Sequence, residues 1–204
     1  MPDRRVAWAI LIGLVGFVAV LATAGSASIA WDEAIYMRSA RRYMAWVDIL
    51  RRSPSVALDK ATLTEYWGMA VPGRPSAGRV EDIHPPLMKL AAGVSWRIWR
   101  GISGDLVAFR SVSALLFGVL LGALFHWLSE AAGTVAGLAA VLCLGLMPRF
   151  FAHAHLVALD APLATLALLA TYVYWRTVDR PGLRWAVPFG LLWGLALGVK
   201  NGGW

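Results

Sequence analysis

The 204-residue sequence is poor in cysteine and in charge, with one Cys and 15% Asp, Glu, Lys and Arg against 59% hydrophobic residues. A lone Cys143, set inside an apolar run, excludes an internal disulfide and reads as a small packing residue. The chain also lacks a Cys/His cluster and a His-Glu-x-x-His motif, and with them the usual zinc patterns. His153 and His155 are two apart, about 200° around a helix, so they do not make a ligand pair either. No internal repeat, low-complexity tract or soluble domain is legible. The net charge of +7 is scattered along loop edges, with no folded basic domain to read a groove, which excludes nucleic acid as the partner and favours lipid headgroups and lipid-linked phosphates.

The most informative absence is local: residues 6–30 contain no charge at all. These 25 residues exceed the ~20 that a helix needs to cross the hydrocarbon core. A cleavable signal peptide is the competing reading, since Arg4-Arg5, an apolar stretch and small residues at 22–24 and 26–28 imitate its three regions. Its apolar core is longer than such peptides use. With a mean hydropathy of +0.62, the composition predicts an all-α, polytopic transmembrane helix bundle of about five spans. These fall at about 6–30, 106–128, 131–147, 161–175 and 185–199. The last two, about 22 Å long at about 1.5 Å per residue, need neighbours to shelter their charged ends.

Between the first two spans, residues 32–105 form a large loop outside the bilayer. Tyr36, Ala40, Tyr43, Val47 and Leu50 recur at helical spacing opposite Arg38, Arg41, Arg42 and Asp48, predicting an amphipathic helix that Pro54 stops. Residues 71–79, with two Pro and two Gly, predict an irregular, mobile segment. After Pro85-Pro86, a second interfacial helix is expected with Leu87, Leu90, Ala91, Val94 and Ile98 as its apolar face.

Arg4 and Arg5 before the first span, and Arg176, Arg180 and Arg184 between the last two, place both segments in the cytoplasm. Five crossings agree with that assignment and put three polar clusters on the external face. They are Asp32-Glu33, the run Asp82-Ile83-His84-Pro85-Pro86-Leu87-Met88-Lys89, and His153-Ala154-His155 through Asp160. Arg110 early in the second span and Lys200 at the end of the fifth add positive charge near the same side. Ionisable groups at membrane depth are costly and therefore paired or functional. A carboxylate within reach of a hydroxyl can take its proton, while Arg and Lys stabilise a departing phosphate. The pattern suits group transfer from a lipid phosphate; a transporter or assembly subunit with a charged substrate path is the alternative.

In order, these motifs resemble those of the protein O-mannosyltransferase family: Trp31-Asp32-Glu33, the His84-Pro85-Pro86-Leu87 run, Phe109-Arg110-Ser111, His155 through Asp160-Ala161-Pro162-Leu163, and Gly198-Val199-Lys200. That family, glycosyltransferase family 39, belongs to the GT-C membrane class. The resemblance implies an inverting transferase that moves a sugar from a polyprenyl-phosphate donor to an acceptor hydroxyl on a protein, lipid or glycan. It implies a multi-pass protein of the bacterial inner membrane with its active face outside the cytoplasm. Asp32 matches the catalytic base, Glu33 its acidic neighbour and Asp160 an acidic organiser of the site. His84, Lys89, Arg110, His155 and Lys200 are expected to contact substrate. Met88 stands before Lys89 where the family commonly has glycine. No metal or cofactor is expected, although Asp32 and Asp160 have the chemistry to share a divalent cation. Since family members continue through further spans, the resemblance also implies that residues 1–204 are the amino-terminal part of a GT-C-like transmembrane domain, with little activity in isolation.

Overall fold

The computed structural model describes residues 4–68, 84–179 and 182–200. Asp82, Ile83 and the segment 71–79 expected to be mobile lie outside the described residues. The described residues are helical throughout their regular elements: α1 (Arg4–Thr23), α2 (Trp31–Arg52), α3 (Pro54–Ala57), α4 (Lys60–Trp67) and α5 (Leu87–Ser103) in the first half. The second half holds α6 (Asp105–Ala132), α7 (Thr134–Gly145), α8 (Pro148–Ala154), α9 (Asp160–Asp179) and α10 (Leu183–Val199). This is an all-α membrane helix bundle. Among the described residues two helices, α1 and α6, are long and apolar enough to cross a membrane on their own. Trp8, Ile10, Leu11, Leu14, Val15 and Val18 of α1 remain exposed, as a lipid-facing surface requires.

Two boundaries differ from the sequence expectation, each for a local reason. The first span ends at Thr23 rather than at residue 30, because the backbone of residues 24–28 turns its carbonyls toward a buried cation described below. The third span is broken: α7 and α8 meet at 73° across a short gap. Pro148 opens α8 and holds Met147 in an extended conformation (φ −67°, ψ 113°), which stops α7 from continuing. In α5, Val94 and Ile98 of the expected apolar face are 49% and 61% exposed, as an interfacial helix allows, while Met88, Lys89, Ala92, Gly93 and Ser95 form the buried side. Against lipid, large apolar side chains gain nothing by facing protein, and small residues give the closer helix contact.

α6 is the axis of the bundle. On one side it packs antiparallel to α1 with almost no side chain between the backbones. A Cβ on Gly118 would lie 2.5 Å from the Gly13 carbonyl oxygen, and one on Gly122 would lie 2.7 Å from that of Ala9. On another side, Ser95 of α5 donates to the Ala108 carbonyl at 2.9 Å and shares a hydrogen bond with Ser111 at 2.6 Å. Asp105, at the start of α6, accepts from Arg41 of α2 (2.6 Å) and from the Trp96 indole of α5 (2.8 Å). Two apolar clusters follow from these pairings. One joins Val20, Ala114, Phe117, Leu121 and Ala154; the other joins Tyr36, Met88, Phe109, Val157, Leu159 and Val199. The second runs directly beneath the polar clusters singled out in the sequence.

Gly118→Leu is expected to force α1 off α6 and to destabilise the protein by roughly 1–3 kcal/mol, the usual cost of overpacking. Gly101→Ala, at a position where an added Cβ meets nothing within 4 Å, is expected to be neutral or slightly stabilising. Thermal unfolding of both variants in detergent checks the contrast.

Candidate active site

The site grows from one buried ion pair. Arg110, in the second turn of α6, and Glu33, in the first turn of α2, are 0% and 1% exposed. The guanidinium grips the carboxylate with both edges: Nε donates to Oε1 at 2.7 Å and Nη2 to Oε2 at 2.6 Å. Nη1 donates to the carbonyls of Ala24 and Ala27, and Nη2 also donates to that of Ser28 at 3.0 Å. All five guanidinium N–H groups thus have partners. Glu33 is equally occupied, accepting from the Val157 amide at 2.9 Å and, at 3.4 Å, from the Ala30 amide that opens its own helix. Four segments meet here: the α1–α2 linker, α2, α6 and the stretch between α8 and α9.

Around this node the predicted site residues gather. Asp32 precedes Glu33, and Asp160 follows Val157 by three residues, so the Glu33–Val157 hydrogen bond brings the two carboxylate-bearing segments together. Asp32 is exposed and makes no hydrogen bond or ion pair with any described residue. Asp160 is half exposed and accepts from Lys200 Nζ at 2.6 Å, while His153 Nδ1 lies 3.6 Å from its other oxygen. The Lys200 hydrogen bond, opposed by partial burial and reinforced by the charge of Lys200, holds the Asp160 carboxyl below the ordinary aspartate range. Asp160 therefore stays anionic at neutral and mildly acidic pH.

Lys89 is fully buried; its ammonium donates to the His84 carbonyl and lies 5.8 Å from the centre of the Tyr36 ring. The His84 ring meets Tyr36 edge-on at 6.3 Å. His155 is buried at 6% exposure between α1 and α8, with Nδ1 2.8 Å from the Phe151 carbonyl and Nε2 2.6 Å from the Thr23 hydroxyl. Because a carbonyl only accepts, Nδ1 carries a proton, while Nε2 shares a hydrogen bond with a Thr23 hydroxyl that also lies 2.8 Å from the Ala19 carbonyl. Among the described residues no three His, Cys, Asp or Glu side chains are grouped as metal ligands would be.

Two participants escaped the sequence reading. Tyr36 stands one helical turn after Glu33, so it shares that face of α2 and ties His84 and Lys89 to the node; its spacing from Glu33 was the available signal. The carbonyls of Ala24, Ala27 and Ser28 carry no side-chain signature at all. The small residues there imitate a signal-peptide cleavage region, yet α1 packs into the bundle along its length.

This geometry places carboxylates, cations and imidazoles of three distant segments around one end of α6. The family of dolichyl-phosphate-mannose-protein mannosyltransferases matches residues 83–202. The chain belongs to that family. As a mannosyltransferase-like glycosyltransferase of the GT-C type, it is an integral membrane protein whose family acts with a sugar-phosphate-lipid donor and an acceptor. No curated protein and no solved structure gives a significant match. The matched range takes in His84, Lys89, Arg110, His155, Asp160 and Lys200, and begins well after Asp32 and Glu33.

Removing either partner of the node leaves a buried, uncompensated charge, so Glu33→Gln and Arg110→Met are each expected to cost about 3–5 kcal/mol. The double variant is expected to be far less destabilised than the sum of the two, since each single change already loses the whole pair. Thermal unfolding of the three variants in detergent reads this directly; additive losses would show that the two residues act separately.

Proposed function

We propose that this chain transfers a sugar from a polyprenyl-phosphate donor to an acceptor hydroxyl on a protein, lipid or glycan at the external face of the bacterial inner membrane, with Asp32 as the general base. The observation that carries the assignment is the contrast between two adjacent carboxylates. Glu33 is buried and bonded at both oxygens, whereas Asp32, one residue away and about 100° around the helix, points out of the same node with no partner among the described residues. A base must be within hydrogen-bond reach of its substrate and must not be committed to the fold. Of the two, Asp32 meets that requirement.

In this reading the acceptor hydroxyl loses its proton to Asp32 as its oxygen bonds to the anomeric carbon. The bond from that carbon to the phosphate oxygen breaks on the opposite side, so the configuration inverts and the polyprenyl phosphate leaves with the electron pair. The phosphate gains negative charge as it departs, and preorganised cations lower the barrier by meeting it. Lys200 is the best placed to do so: it is 35% exposed, paired with Asp160 and mounted where α10 ends. Arg110, whose five donors are all engaged, serves as the post that holds Glu33 and hence Asp32. Glu33 has the same organising role, and Asp160 holds Lys200 in position. Lys89, His84 and His155 shape the wall behind them.

The external orientation rests on the charge asymmetry of the short segments. Arg4, Arg5, Arg176 and Arg184 lie at the end of the bundle opposite to Asp32 and Asp160, as expected if that end is cytoplasmic.

Asp32→Asn is expected to reduce transfer from polyprenyl-phosphate-mannose by roughly 10²–10⁴-fold, the range for loss of a general base, with little loss of thermal stability because the side chain has no partner among the described residues. The measurement is release of polyprenyl phosphate and incorporation of labelled mannose by membranes containing equal amounts of wild-type and variant protein. Ordinary transfer by the Asn variant would remove Asp32 from the role.

A further inference from the structure

The junction of α2 and α5 carries a polar pocket that the transfer reaction does not use. It has a volume of about 460 Å³ and is lined chiefly by Arg41, Met44 and Asp48 of α2 and by Trp96, Arg97 and Arg100 of α5. Its charges do not cancel. Arg41 pairs with Asp105 and Arg97 with Asp48, but Arg100 forms no ion pair among the described residues and lies over the Trp96 ring, 4.5 Å from its centre. Arg38 and Arg52, one helical turn before Arg41 and one after Asp48 on the same face of α2, are exposed and form none either. Five arginines thus stand against two aspartates.

Even the paired arginines keep donors in reserve. Arg41 hydrogen-bonds through Nη2 alone, to Asp105, and Arg97 through Nη2 alone, to Asp48 and the Met44 carbonyl. Arg110 has every donor bonded; here the remaining N–H groups have no acceptor among the described residues, which leaves them for oxygens from outside the chain. The platform under Arg100 is fixed in advance: the Trp96 ring stacks on Phe109 at 5.4 Å, and its indole N–H donates to Asp105 at 2.8 Å. Beside the pocket runs an apolar edge. Val94, Ile98 and Ile102 are exposed, and their spacing of four residues aligns them along one side of α5. A helix lying in the membrane interface buries such a stripe at the acyl boundary and holds its cations at the level of the headgroups.

We infer that the α2–α5 pocket binds the phosphate of an anionic phospholipid, with Arg100 as its principal contact and one acyl chain along the Val94–Ile98–Ile102 edge. Charge selects the occupant: a zwitterionic lipid covers the edge equally well but brings a cation to the arginines. The apolar edge selects it too, since a free phosphate leaves that surface bare. Nine residues of α2 separate Arg41 from Asp32, about 14 Å at about 1.5 Å per residue, and occupancy of the pocket is independent of the assignment of Asp32.

The test uses the purified chain in detergent, titrated with phosphatidylglycerol, phosphatidylcholine of the same chain length and inorganic phosphate, with binding read by native mass spectrometry. Phosphatidylglycerol is expected to bind most tightly. Arg100→Gln leaves both ion pairs in place and is expected to weaken it about fivefold, the worth of one cation beside an anionic headgroup. Asp48→Asn removes a carboxylate that competes with the lipid and frees Arg97; it is expected to tighten phosphatidylglycerol by a similar factor, a gain that a purely structural ion pair would not produce. Lys60→Gln, which removes an exposed cation of α4 outside the pocket, is expected to change nothing. Phosphatidylcholine or inorganic phosphate binding as tightly as phosphatidylglycerol, indifference to Arg100→Gln, a loss from Lys60→Gln equal to that from Arg100→Gln, or a folded Asp48→Asn variant that binds no more tightly would each overturn the inference. Should Asp48→Asn fail to fold, Arg100→Gln, which breaks no hydrogen bond among the described residues, decides by itself.

Discussion

A guanidinium buried in a membrane protein must have every donor satisfied, and the way Arg110 meets that demand organises the end of the bundle where the site lies. Its own helix cannot supply acceptors, since the backbone carbonyls of α6 are already spent on helical hydrogen bonds. The acceptors come from elsewhere: two oxygens of Glu33 and three carbonyls of the α1–α2 linker. α1 therefore has to end at Thr23, α2 has to begin at Trp31, and Glu33 has to face inward. Once it does, its remaining capacity fixes the Val157 amide, and with it the start of α9. Desolvation of the pair is costly, so its stabilising value comes from the completeness of its bonding rather than from Coulomb attraction alone.

The same constraint separates the roles of neighbouring acids. Two consecutive carboxylates on a helix cannot both face the core. With Glu33 held inside, Asp32 is left at the surface of the junction, while Asp160 is neutralised in part by Lys200. In the proposed reaction a rigid carboxylate supports a free one, and positioning and proton transfer are divided between them. A base carried on a helix whose first turn is fixed by three hydrogen bonds from Arg110 and Val157 has little freedom to wander from its substrate.

Much of this was legible in the sequence, and the remainder was hidden for identifiable reasons. Uncharged runs located α1 and α6 because lipid tolerates few charges, and the isolated acids, histidines and cations marked a candidate site because each is costly at membrane depth. Periodicity located the apolar face of α5, whose Val94 and Ile98 are exposed as an interfacial helix allows, but the side that packs, with Ala92, Gly93 and Ser95, is made of small residues that leave no apolar signal. The end of α1 was concealed because backbone carbonyls do the bonding and leave no mark on residue type. The break before α8 was written at Pro148, but an apolar run of suitable length masked it.

The linker between α1 and α2 meets the buried cation through its main chain alone. Ala24, Ala27 and Ser28 contribute oxygens that every amino acid possesses, so the contact imposes little on which residues stand there. It imposes a great deal on how many there are. One residue more or fewer would shift each carbonyl out of line with a guanidinium whose fork is planar and fixed. This stretch is a spacer specified by count, and the chain there is free to drift in composition while remaining closed to insertion or deletion.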